Sequence, residues 1–401
     1  MKPRVFLAYQ YGHPDEVVSA RHFTQLGESL VELGHEVFFI AGNRFHSGLG
    51  ERLPRTETHN GVTYLRTPAV GPPARHGVKR LAQAAVNSLL VSLKLLGVRK
   101  GDAVILGTDP QLAVLAIPEI RRLRKANIYV WAFDIFPDAV AADRPEFAQS
   151  RAFQVWRALA RRGYNAADAV ATLAPCMERR LRDNGITTRT VEIIPWALVE
   201  DTTNVSAATI AQRRSELFGD ARLGLLYSGN LGLAHDVRPL VDLMRVCGDR
   251  FHGDVRFAFG IKPQNRRFLD EALNGDGDSV KILPLCSEAQ LAERLLAADA
   301  HVVSVREGWD GIVVPSKFFA ALAMGRPVLY SGTERSGLSQ WTRELDIGLD
   351  TNAGMDETLA QISRLLGEPD ALSELQDRAA AVYQERFTRE AQVRAWSDLI
   401  S

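Results

Sequence analysis

The stretch WDGIVVPSKFFAALAMGRPVLYSG, Trp309 to Gly332, reads as a tight turn, a short helix and a strand. Its apolar approach (GIVV), apolar helix body (FFAALAM) and glycine-proline exit predict a helix buried on most of its circumference. Pro315 fits the first turn of such a helix, where its missing N–H costs nothing. Ser316 and Lys317 then stand where the helix starts, and no acidic residue lies inside it. Helix starts offer unpaired N–H groups and a partial positive charge. A lysine at the start of a buried helix needs an anionic partner, and a phosphate or diphosphate suits it.

Working outward, β-rich runs alternate with amphipathic helical patterns along the whole chain. In the first half the strands are PRVFLAYQY, GHEVFFIAG, DAVILGT, ANIYVWAFD, DAVATLA and VEIIPWALV. In the second they are RLGLLYSGN, DVRFAFG, SVKILPL, AHVVSVRE, RPVLYSG and DIGLD. Near-continuous apolar strands indicate parallel sheets covered on both faces. The fold class is therefore α/β, with two doubly wound, Rossmann-like parallel-sheet domains facing across a cleft. We place the first at residues 1–200 and the second at 208–382, with a linker near Glu200 to Ala208. A C-terminal amphipathic helix, 383–401, is expected to pack back on the first domain. A length of 401 residues agrees with more than one core, since domains run to about 150 residues.

Composition narrows the function. The 48 basic and 48 acidic residues cancel, which argues against a nucleic-acid binder. The three cysteines are far apart, with neither metal-ligand spacing nor a disulfide framework. A reducing, cytoplasmic setting and no bound metal are expected. MKPRVFLAYQ is a first strand rather than a signal peptide. No stretch approaches the ~18 uncharged apolar residues of a membrane span.

In doubly wound folds ligands sit beyond the carboxyl ends of the strands. In the second half those ends hold Ser228, Gly229, Asn230 and Gly232 (YSGNLG), then Gly260 with Lys262 (FGIKP), then Glu307 and Asp310 ahead of Pro315, Ser316 and Lys317. Glycines allow close backbone approach to an anion, though a plain tight turn needs them too. No G-x-G-x-x-G opens either half after its first strand, and no G-x-x-x-x-G-K-[ST] is present, so neither a dinucleotide fingerprint nor a nucleoside-triphosphatase loop is there. In the first half the strand ends hold His13 (YQYGHPDE), Asp109 (GTDPQ) and Asp134 (WAFDIFPD). An acid at a strand end can accept from a sugar hydroxyl or stabilise positive charge. Asp138, after Pro137, reads as a helix N-cap. The segments Gly71 to Lys100 and Phe147 to Tyr164 are basic and amphipathic, as are helices that lie on anionic membranes and helices with a solvated basic face.

Taken in order, LGESLVELGHEVFFIAG, the IIPWALVED close of the first half, LLYSGNLGLAHDV and VPSKFFAALAMGRPVLYSG resemble the retaining family 4 glycosyltransferases of GT-B fold, over nearly the whole chain. FDIFPD is most like the branch that builds bacterial surface polysaccharides, including fucosaminyltransferases. The resemblance implies metal-independent transfer of a sugar from a nucleotide diphosphate, with a uridine-linked donor expected, to a glycan or lipid-linked acceptor. The donor would lie on the second domain and the acceptor on the first. It implies no cofactor beyond the nucleotide sugar, and peripheral contact with the cytoplasmic face of the inner membrane. By this resemblance Lys317, Ser316 and the Gly229–Gly232 loop hold the diphosphate, Asp134 serves the sugar or its developing charge, and Glu307 or Asp310 the donor hydroxyls. Two donor-site glutamates usual in the family are replaced by Ile312 and Ala320, and its arginine and lysine by Asn230 and His235. Two other readings stay open at this stage: a nucleotide-sugar 2-epimerase, which would need histidine and carboxylate acid–base groups, and a non-catalytic GT-B subunit.

Overall fold

The computed structural model describes residues 2–401 apart from 49–50, 71–76, 200, 201, 203 and 274–279. The chain forms two compact units. One comprises Met1–Ile194, Gly311–Val313 and Glu390–Ser401, the other Pro195–Asp310 and Val314–Arg389.

The first unit is built on an eight-stranded sheet. Its strands are β1 (Val5–Ala8), β2 (Val37–Gly42), β3 (Thr56–His59), β4 (Val62–Thr67), β5 (Ala103–Gly107), β6 (Asn127–Trp131), β7 (Ala169–Thr172) and β8 (Thr190–Glu192). Their order is β3-β4-β2-β1-β5-β6-β7-β8. All neighbours are parallel except β3 and β4. These two form a hairpin around Asn60 and Gly61, both at positive φ (46° and 79°), as a tight asparagine-glycine turn requires. The sequence reading placed no strand here. Central strands β1 and β5 are buried at every position, the signature of a sheet covered on both sides. Behind β6, Trp131 packs on Phe23 (ring centroids 5.0 Å apart) and on Trp396 (5.5 Å) of the last helix, Arg389–Ile400.

The second unit holds a wholly parallel sheet of β9 (Leu223–Ser228), β10 (Val255–Gly260), β11 (Val280–Leu283), β12 (Ala300–Val305), β13 (Val328–Gly332) and β14 (Gly348–Asp350). Its order is β11-β10-β9-β12-β13-β14. Successive residues of β9 serve opposite faces: Leu225 and Tyr227 join one buried cluster with Phe257 and Phe259, while Leu226 joins Phe218 and Ala258 in another. That double burial explains why β9 reads as an unbroken apolar run. Strand order runs outward both ways from the β9–β12 pair, so the carboxyl ends of β9 and β12 flank the topological switch point.

Candidate functional site

In the second unit the carboxyl ends of β9, β10 and β12 converge on Lys317. Gly229 follows β9 at φ +130°, a conformation side chains disfavour. Its N–H donates to Gly260 O at 2.9 Å, tying the β9 and β10 ends together. A Cβ on Gly229 would stand 3.2 Å from Lys317 Cε. The lysine's Nζ lies 4.7 Å from the Tyr227 ring centroid and 3.3 Å from His235 Nε2. His235 Nδ1 lies 2.7 Å from Ser304 O, an acceptor only, so Nδ1 carries the proton and Nε2 offers a bare lone pair to the ammonium. Burial pushes Lys317 down to about 7. Burial and then the neighbouring lysine push His235 down to about 3, so it is neutral at pH 7. Among the described residues no carboxylate forms an ion pair with Lys317. A desolvated cation held by an aromatic face and a neutral imidazole can receive an incoming anion. Beside it opens a cavity of about 300 Å³, bordered by Leu231, Gly232, His235, Arg238 and Arg306.

The other residues anticipated for the donor fall at different distances from this centre. Ser228 is the last residue of β9. Asn230 is engaged internally: its carbonyl accepts from Tyr227 Oη (3.1 Å) and its side-chain oxygen from Asn265 Nδ2 (2.7 Å). Gly232 O accepts from His235 N at 3.0 Å and sets the turn that aims the imidazole. Glu307 is exposed, and Asp310 is half-buried at the end of the same loop.

The helix start differs from the sequence reading in detail. The helix is Lys317–Ala323, seven residues, with Phe318, Phe319, Ala321 and Leu322 buried. Ser316 is its N-cap but sits in helical conformation, and its side chain caps nothing. Pro315 precedes the cap rather than entering the first turn, and its carbonyl accepts from Phe318 N at 3.2 Å. A helix this short adds little dipole, so the positive charge of the site is that of Lys317 itself.

In the first unit Asp109 and Asp134 lie two and three residues beyond the ends of the adjacent strands β5 and β6. Thr108 Oγ1 accepts from Asp134 N at 3.1 Å and joins the two strand ends. Asp134 also forms a lone antiparallel bridge with Val313, and Ile135 N donates to Ile312 O at 3.1 Å. Burial pushes the Asp109 carboxyl up to about 7, with the Asp134 charge adding to it and Arg80 opposing. Burial pushes Asp134 up to about 6, again opposed by Arg80. Two desolvated acids that titrate near neutrality can accept from hydroxyls or exchange a proton. His13 stacks on His59 at 3.5 Å between ring centroids, its carbonyl accepts from Arg66 Nη2 at 2.7 Å, and burial lowers its pKa. These contacts pin the loop after β1 to the β3–β4 hairpin, and no hydrogen bond among the described residues links His13 to the two acids. Asp138 is buried on Arg180 (2.9 Å) and Asn184 (3.1 Å), with Pro137 in the cap position, so it holds the Pro175–Asp183 helix in place rather than capping its own.

Known proteins resemble this chain in sequence and in fold. Residues 19–197 match the glycosyl transferase 4-like domain. WbjE of Pseudomonas aeruginosa, a glycosyltransferase by name, is 24% identical over 329 residues, 78% of this chain and 76% of its own. WcaI of Escherichia coli K12, a colanic acid biosynthesis glycosyl transferase by name, is 24% identical over 354 residues, 83% of this chain and 84% of its own. HepE of Anabaena, solved in complex with UDP, superposes with a TM-score of 0.67 at 14% identity over 98% of each chain. With two parallel-sheet α/β domains and this company of relatives, the chain is a glycosyltransferase of GT-B fold.

Proposed function

We propose that the enzyme moves a sugar from a uridine-diphosphate donor, with retention at the anomeric carbon, to a glycan or lipid-linked acceptor of a bacterial surface polysaccharide. The observation that carries this reading is Lys317: a desolvated ammonium beside a glycine loop, with no carboxylate among the described residues to neutralise it. The diphosphate of the donor supplies that charge. As the sugar departs, negative charge grows on the leaving oxygen, and Lys317 stabilises it more than it stabilises the ground state. The proton of the acceptor hydroxyl passes to the leaving phosphate oxygen, so the protein needs neither a nucleophile nor a metal. Asp109 and Asp134 hold acceptor hydroxyls, and Glu307 or Asp310 the donor sugar. UDP is the nucleotide in the HepE complex, and WcaI is named for a polysaccharide; both support these choices. FDIFPD, Phe133 to Asp138, favours the amino-sugar branch that includes fucosaminyltransferases. The three free cysteines suit the reducing cytoplasm.

Calorimetric titration with UDP, GDP, ADP and TDP tests the reading. UDP binds wild type, and Lys317→Ala loses it by at least about tenfold, the weight of one charge-assisted contact. If no nucleotide binds wild type, the donor assignment fails.

A further inference from the structure

His235 lies in the loop between β9 and the helix Arg238–Phe251, and its surroundings fix it. Its backbone N–H donates to Gly232 O at 3.0 Å, and the neighbouring Ala234 O accepts from Arg306 N, just past β12, at 2.8 Å. The ring meets Tyr227 edge-on, with centroids 6.1 Å apart and planes at 83°. Nδ1 donates to Ser304 O at 2.7 Å. With Nδ1 committed as the donor, Nε2 has no proton and can only accept. The atom it faces, at 3.3 Å, is Lys317 Nζ. An ammonium and a neutral amine can each donate a hydrogen to that lone pair, so the contact survives loss of a proton from the lysine.

The charges around the pair do not balance the lysine. Asp236 is bound to Arg238 at 2.5 Å, and Arg306 acts on it as well. Glu271 borders the same cavity from the helix Arg266–Leu273. Among the described residues neither acid forms an ion pair with Lys317. Burial pushes the Tyr227 hydroxyl up, so it stays neutral and offers only its ring face, 4.7 Å from Nζ. A cation taken out of water without a counter-ion is destabilised relative to its neutral form. Burial accordingly brings the lysine down to about 7. Both Lys317 and His235 are only half-buried, so a ligand can reach them from solvent. A diphosphate beside Nζ reverses the balance, because it supplies the missing negative charge.

We propose that His235 is a positioning residue of the donor site: its bare Nε2 holds Lys317 in place as an amine in the empty enzyme above neutral pH, and the amine takes up one proton from solvent as the diphosphate enters. One amine, one diphosphate and one proton become one ammonium–diphosphate pair, and no bond to carbon or phosphorus changes. This rests on the assignment of Lys317 to the diphosphate, and it gives that site a proton requirement. A cation in place of His235 would repel the ammonium, and an acid would neutralise it before the ligand arrived; a neutral acceptor does neither. Because binding consumes a proton, affinity for the diphosphate falls as pH rises above about 7.

Calorimetry with UDP and the full chain at pH 8, in HEPES, tricine and Tris, reads the proton directly, since the observed heat then varies with the ionisation enthalpy of the buffer. UDP itself is ionised at this pH, its last phosphate proton being lost at about pH 6. A lysine titrating near 7 in the empty site gives uptake of about 0.9 proton per UDP at pH 8, and a Kd that rises about eightfold from pH 7.5 to 8.5. His235→Asn keeps a donor for Ser304 O but has nothing at the place of Nε2, and UDP affinity falls about three- to tenfold. His235→Gln carries an acceptor out to that place and keeps affinity within about twofold of wild type. A merely structural histidine gives the opposite order, because the side-chain contact that fixes the loop is the one to Ser304. UDP binding whose heat does not depend on the buffer overturns the proton uptake and leaves the donor assignment standing. Wild-type affinity in His235→Asn, or no rescue in His235→Gln, overturns the role of His235. If UDP does not bind wild type at all, the donor assignment fails and the proton uptake with it.

Discussion

Replacing Lys317 by methionine removes the charge while keeping most of the volume against Tyr227. The lysine's pKa falls from 10.5 in the unfolded chain to about 7 in the folded one. Each tenfold change in proton affinity is about 1.4 kcal/mol. At pH 7 the folded lysine is half protonated and the unfolded one fully, which sets the cost of folding around it at roughly 4 kcal/mol. The ammonium recovers part of this from the Tyr227 ring, about 0.5–2 kcal/mol. Lys317→Met should therefore stabilise the ligand-free protein by about 2–3 kcal/mol at pH 7. Between pH 7 and 10.5 the unfolded chain binds more protons here than the folded one, so wild-type stability rises with pH and the advantage of the mutant shrinks. Urea denaturation from pH 6 to 9.5 reads both effects. UDP at a hundredfold excess over the wild-type Kd should raise wild type by about 2.7 kcal/mol and a mutant weakened tenfold or more by about 1.4 kcal/mol at most. A mutant less stable than wild type at pH 7, or a gap that does not change with pH, would refute the picture of an unpaired, desolvated ammonium.

Other expectations concern separate residues. Asp109→Asn should stabilise by about 1–3 kcal/mol at pH 8 and by little near pH 4: the unfolded carboxyl ionises near 3.8 while the folded one keeps its proton up to about 7, so the destabilisation builds between those pH values and levels off above them. Its effect and that of Asp134→Asn should not add, since each charge opposes the other, and acceptor KM should rise in both. Gly229→Ala places a Cβ 3.2 Å from Lys317 Cε at φ +130°; UDP affinity measured by calorimetry should drop about tenfold. Asp138→Ala strands Arg180 and Asn184 and should cost about 2–3 kcal/mol in urea titrations without altering UDP affinity, which separates it from Asp134. Transfer followed by UDP release should persist in EDTA, because the leaving charge rests on Lys317.

Strands buried on both faces announce themselves as apolar runs, which is why β1, β5, β9, β10 and β12 are legible in the sequence. The β3–β4 hairpin is not, although Asn60-Gly61 is a turn signal, because Thr56–His59 is polar and shows none of the apolar alternation that marks a strand. Lys317 stands out as a cation inside an apolar segment. Its partnership with His235, 82 residues away in sequence, depends on β9 and β12 being neighbours, which no local pattern encodes. The same is true of Asp109 and Asp134: each can be read as a strand-end acid, but their mutual influence follows from β5 lying next to β6. Asp134 and Asp138 look alike in FDIFPD. Only the position of Arg180 makes one of them structural.

The hairpin that escaped the sequence reading also decides how the first sheet ends. Without β3, the outermost strand would be β4, whose Val62 and Tyr64 are fully buried and whose free backbone groups could recruit a strand from another molecule. Instead the rim is four residues long, alternately exposed, and carries Glu57, paired with Arg66 at 2.6 Å. A short, charged rim is a poor template for edge-to-edge growth. The hairpin thus acts as a guard on colloidal behaviour. Charge-neutral substitutions along Thr56–His59 should therefore surface first as turbidity on concentration, before any change in catalysis.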